Sequence, residues 1–230
     1  MGIQIIGAGG SVADVGAFAQ KGIHVLPKPV DVGALGQYRV AAVSGTMAAA
    51  LAASAQVFQF KWTDATRFAL ILRLEVKFIT LTRFTAGTVT DAGLDAFVAR
   101  SYAAGGGGTA LTLTGDNAAL RAAFGTTLVS EIRVPTTAAL TAATTLDTQP
   151  FAQSFGLYSQ VTPSVTVAQE QFNFGADSMI LDYTPRIGDG EYPLTLAQNE
   201  GVVIRNRAVW PAAGTGIFSF MVHWAEVTAF

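Results

Sequence analysis

Two histidines and no cysteine confine the chemistry that this 230-residue chain could perform. A catalytic histidine needs a carboxylate to orient it and a nucleophile within reach, and neither His24 nor His223 has such a motif around it. His24 stands in a segment broken by glycine and proline, while His223 precedes Trp224 and, in an extended strand, faces away from it. Surface or interface roles are expected for both, since a two-histidine metal site would have to draw them together from opposite ends of the chain. Without cysteine there is no disulfide framework, thiolate zinc site or thiol nucleophile.

The best acidic cluster is Asp177, Asp182, Asp189 and Glu191, with Gly188 and Gly190 leaving backbone carbonyls room to turn inward. Calcium prefers such oxygen-rich loops, but the spacing matches no calcium-loop pattern, and Asp-Gly pairs are ordinary turn formers. A glycosidase pair would depend on a carboxylate separation that spacing along the chain does not fix. Ile5-Ile6-Gly7-Ala8-Gly9-Gly10 begins like a dinucleotide fingerprint, yet Val12 occupies the third glycine position and no strand–helix–strand pattern follows. Aromatic faces bind sugars. Trp62 and Trp224 fall on apolar strand faces and belong to a core, which leaves Trp210, beside Pro211, as the one tryptophan expected to be exposed. The expectation is therefore no catalytic residue, no metal and no cofactor.

The elements that must carry these residues are strands. Phe58, Phe60 and Trp62 alternate with Gln59 and Lys61, which predicts a half-buried strand. Phe68, Leu70, Leu72, Leu74, Val76 and Phe78 alternate in the same way, with Arg73, Glu75 and Lys77 opposite; a helix would not repeat at every second position. Further strands are expected over 94–102, 128–134 and 161–168. A C-terminal hairpin is expected from Val202 and Ile204 to Phe218, Phe220, Val222 and Trp224, turning at 211–216. The alanine-rich stretches 47–55 and 117–124 are short enough to give a helical turn or two at most. Residues 1–37, with glycines from Gly2 to Gly10 and prolines at 27 and 29, predict an extended arm with little core of its own, packed on a neighbour. The remainder, 38–230, predicts an all-β domain, an antiparallel jelly-roll-like β-sandwich.

Half the residues are hydrophobic and 13% are charged. Apolar material is ample for a core, and so little charge leaves much of the surface to small residues or to other subunits. A formal net charge of −2 with no basic run gives counterion release no source, so no nucleic-acid partner is expected. No stretch approaches the roughly 18 apolar residues of a membrane span, and no charged segment followed by an apolar one marks a signal peptide at the N-terminus.

Several stretches resemble the decoration, or cement, proteins on tailed-phage heads. They are Ser44-Gly45-Thr46-Met47-Ala48-Ala49-Ala50-Leu51 leading into Val57-Phe58-Gln59-Phe60-Lys61-Trp62, then Phe97-Val98-Ala99-Arg100-Ser101 and Ala110-Leu111-Thr112-Leu113-Thr114-Gly115. Leu120-Arg121, Leu140-Thr141-Ala142, Leu196-Ala197-Gln198-Asn199-Glu200-Gly201 and Val222-His223-Trp224-Ala225-Glu226-Val227 fit the same pattern. The resemblance covers roughly 38–230. It implies a non-enzymatic virion protein on the capsid exterior, made in the host cytoplasm, that clamps major capsid protein subunits and forms a homo-oligomer, a trimer. It implies no individual binding residue, and the arm departs from the pattern. The alternative class is a receptor- or carbohydrate-binding module of a phage fibre or tail.

Overall fold

The alternating stretches fold as strands. The computed structural model describes residues 5–6, 12–13, 35–48, 51–82, 84, 93–114, 118–141, 144–154, 179–183, 193–210 and 213–228. Its strands are β1 (Ile5–Ile6), β2 (Val12–Ala13), β3 (Gly36–Val43), β4 (Gln56–Trp62), β5 (Phe68–Thr82), β6 (Leu94–Tyr102), β7 (Thr109–Ala110), β8 (Val129–Val134), β9 (Thr144–Leu146), β10 (Ala152–Ser154), β11 (Met179–Asp182), β12 (Leu194–Leu196), β13 (Gly201–Asn206) and β14 (Thr215–Val227). No helix occurs among the described residues. Where the alanine-rich stretches are described they form bridges, bends and turns, as expected of segments too short to repay helix nucleation. The strand expected at 161–168 lies outside the described residues, as does most of the arm; β1 and β2 pair with each other.

Every strand pairing is antiparallel, and the strands beyond β2 form two sheets packed as a sandwich. One sheet runs β11-β5-β14-β3, with β12 also on β5; the other runs β10-β6-β13-β4-β8-β7, with β9 also on β6. β9 and β10 pair with successive stretches of β6, and β11 and β12 with successive stretches of β5. Each pair is thus one interrupted edge strand. Counted along the chain, the eight principal positions are β3, β4, β5, β6, β9 with β10, β11 with β12, β13 and β14. They are ordered sixth-third-eighth-first in one sheet and fifth-fourth-seventh-second in the other, the interleaved order of a jelly roll.

That order corrects the C-terminal hairpin. β13 pairs with β4 and β6, whereas β14 pairs with β5 and β3, so the two strands belong to different sheets. Instead of bonding edge to edge with β13, β14 meets β4 across the core. Phe58 and Phe220 meet there with ring centroids 5.2 Å apart, and Phe60 meets Trp224 edge to face at 5.5 Å.

β5 departs from a single stripe. His223 lies opposite Arg73 but Trp224 lies opposite Ile71, which leaves Leu72 as the extra residue of a β-bulge. Below that point the faces exchange. Ala69 and Ile71 join Leu74, Val76 and Phe78 in the central core, while Leu70 and Leu72 turn outward into a second buried cluster with Ala225 and Val227, against which Phe68 packs. The expected stripe therefore divides between two clusters, because a bulge shifts the two-residue period by one.

β4 is also more enclosed than half-buried. Gln59, on its outward face, is only 1% exposed and donates from Nε2 to Gln56 Oε1 at 2.6 Å and to the Thr141 carbonyl at 3.0 Å. Residues 139–141 run along this face, with the Leu140 N–H donating to the Gln56 carbonyl. Strand alternation assigns Gln59 to the outside, and the long β6-to-β9 excursion then covers it.

Candidate interaction surface

At one end of the sandwich the inward face of β14 carries an acid. Glu226 is buried; its Oε1 accepts the Thr127 hydroxyl at 2.5 Å, the Leu128 N–H at 2.9 Å and the Trp224 indole N–H at 3.3 Å. Burial pushes its carboxyl above the usual carboxylate range, against the pull of those three donors. Tyr38 stacks on Trp224 at 5.6 Å and donates its hydroxyl to the Gly125 carbonyl at 3.0 Å. These bonds tie residues 125–128 to β14 and β3. The acid is a structural tether, enclosed by protein.

The outward face of the same sheet is different. A single row crosses four strands in register: Arg39 on β3, His223 on β14, Arg73 on β5 and Asp182 on β11. Arg73 pairs with Glu75 and lies 3.9 Å from Asp182. His223 is half-buried, and its Nε2 is enclosed with no hydrogen-bond partner among the described residues. Burial first, then the flanking Arg39 and Arg73, hold its imidazole below the ordinary value, with Asp182 opposing. Arg39 is exposed.

Beyond this row, where Glu75 and exposed Lys77 still stand on β5, open apolar side chains join the face. Val43 flanks Ser219 across β3 and β14, Ile79 lies opposite Ile217, and Leu81 follows on β5. Their exposures are 58%, 49% and 53%, and they are three of the five large apolar side chains left open among the described residues. Such clustering on one sheet face marks a contact surface, whereas single exposed apolar residues carry no meaning. The signal lay in the sequence: Arg73, Glu75 and Lys77 occupy alternate outward positions of β5, and Ile79 and Leu81 continue that same series with apolar side chains.

No family model, curated protein or solved structure matches this chain. Its own geometry must carry the reading. His24, Asp177, Asp189 and Glu191 lie outside the described residues; Asp182 joins the row on the sheet face, and no group of three or more metal-ligating side chains occurs among the described residues. Val12–Ala13, where a dinucleotide fingerprint needs a helix, is a strand antiparallel to Ile5–Ile6. Trp62 and Trp224 are core residues. Trp210 is a correction: at 2% exposure it is buried edge-on against Phe78 and Phe84, at 5.0 and 5.4 Å, and its backbone N–H donates to the Leu51 carbonyl. Because β13 and β14 lie in different sheets, Trp210 follows β13 into the core among Phe78, Phe84 and Phe218, where a hairpin turn would have left it in solvent.

Proposed function

We propose that this chain is a structural virion protein, without enzymatic activity, that binds the exterior of a phage capsid shell and stabilises it through contacts with the major capsid protein. The observation that carries this reading is the set of open apolar side chains Val43, Ile79 and Leu81 on the outward face of the β11-β5-β14-β3 sheet, in a protein whose buried Gln59 and Glu226 are bonded within the fold. The resemblance to head decoration proteins points the same way. Jelly rolls also occur in viral capsid domains, an analogy of fold alone. Stabilisation would follow mass action: a protein that binds the assembled shell and not its free subunits stabilises that shell in proportion to the logarithm of its concentration over its dissociation constant. Multiple copies add avidity.

Sugar binding loses its chief support with the burial of Trp210. Co-sedimentation of the purified protein with expanded heads, followed by heating of those heads, tests the proposal. Saturable attachment and a raised disruption temperature are expected; heads that neither retain the protein nor gain stability would refute it.

A further inference from the structure

We propose that the outward face of the β11-β5-β14-β3 sheet recognises an acidic patch on the major capsid protein, with Arg39 and Lys77 each meeting a carboxylate of that partner. This rests on the capsid reading above and names the chemistry of the surface that the face would meet. Among the described residues, the charged side chains on this face are Arg39 on β3, Arg73, Glu75 and Lys77 on β5, and Asp182 on β11. Both acids are engaged within the face, because Glu75 pairs with Arg73 and Asp182 lies 3.9 Å from the same guanidinium. Arg39 and Lys77 are exposed and make no ion pair among the described residues. The charge left open here is therefore positive, in a chain whose formal net charge is −2.

Cations and apolar side chains share this surface. Lys77 lies two strands over and four residues along from Arg39. At about 4.8 Å between strands and about 3.4 Å per residue, their backbones are about 17 Å apart. Ala41, Met221 and Ser219 lie between them, and the open Ile79 and Leu81 follow Lys77 on β5. A phosphate chain would gain nothing by covering those apolar side chains. A protein surface does gain, provided that it brings carboxylates to the two cations, since a cation buried without a partner is unfavourable. A second copy presenting the same face would set open cation against open cation, which selects against it. Two carboxylates at the matching separation would also fix the register of the contact, where apolar side chains alone would let it slide.

Co-sedimentation of the full chain with expanded heads, titrated at about 0.05 M and about 0.5 M sodium chloride, reads the electrostatic part, because the added salt shortens the screening length to about 4 Å. Wild-type attachment should weaken about tenfold or more at the higher salt. Arg39→Glu and Lys77→Glu should each weaken attachment about tenfold or more at the lower salt and reduce its salt dependence, since carboxylate then meets carboxylate. Arg39→Lys keeps the charge and should keep most of the affinity. Far-UV circular dichroism and melting temperature should stay unchanged in all three variants, because both positions are exposed. Wild-type attachment that ignores salt and both reversals would overturn the inference and leave the capsid role standing. Tighter attachment by either reversal would mean a basic partner and overturn it too. Heads that retain no wild-type protein at either salt would refute the capsid role itself, and this partner with it.

Discussion

Leu72→Ala measures whether the bulge in β5 divides the apolar side chains between two clusters. Leu72 is fully buried with Leu70, Ala225 and Val227, on the opposite side of the sheet from Leu74 and Val76. Truncating a buried leucine removes its transfer free energy and leaves a cavity, which together cost about 2–5 kcal/mol. The outer cluster is small and bordered by an alanine, so its neighbours can close in only partly, and a loss of about 2–3 kcal/mol is expected. In a chain of this size each kcal/mol is worth about 2–4 °C, so melting should fall by about 4–12 °C. Urea unfolding followed by the fluorescence of the buried tryptophans gives the same quantity from midpoint and slope. The partner identifies the face. Combined with Val227→Ala, the double variant should depart from additivity by about 0.5 kcal/mol or more, whereas with Val76→Ala the losses should add. Coupling to Val76 without coupling to Val227 would mean an uninterrupted strand, and a loss near zero would mean that Leu72 is not enclosed at all.

Glu226→Gln tests the buried tether. The folded-state pKa is raised, so the stability linked to this group is fully present below its unfolded value near 4.5 and is lost as pH rises through the higher folded value. Denaturation across that window should show the wild type losing ground to the amide variant as pH increases; parallel curves would count against a strained carboxylate. Trp210→Ala should cost about 3–5 kcal/mol and alter the near-ultraviolet circular dichroism, because its ring fills a space among Phe78, Phe84 and Phe218. A change within about 0.5 kcal/mol, the range of exposed positions, would return that indole to the surface.

The all-β architecture was legible because β4 and β14 carry two-residue alternation, which one strand declares by itself, and because turn-forming residues bound β6 and β8. The partner of a strand is not local. Nothing in the alternation of β13 or β14 distinguishes bonding to each other from lying in opposite sheets, so the hairpin expectation failed while both strands stood. The bulge at Leu72 was hidden because Phe68-Ala69-Leu70-Ile71-Leu72 is apolar at every position, and either parity satisfies a buried strand. Gln59 looked like surface by residue type and is enclosed only because residues far along the chain lie over it. Trp210 misled in the opposite direction: proline and glycine nearby indicate a turn, but not whether the turn is capped or open. The contact surface was partly legible, since Ile79 and Leu81 break the polar series of β5, but Val43 joins them only through pairing with β14.

The placement of β13 and β14 also governs when this chain can acquire its shape. β13 and β14 occupy interior positions of the two sheets, so one sheet lacks its central ladder until Asn206 has emerged from the ribosome and the other until Val227 has. Up to those moments β4 and β6, or β3 and β5, are strands with no neighbour between them and with aromatic side chains in water. Assembly is thus deferred until both strands have been made, slowed by its dependence on distant partners, and vulnerable to self-association while it waits.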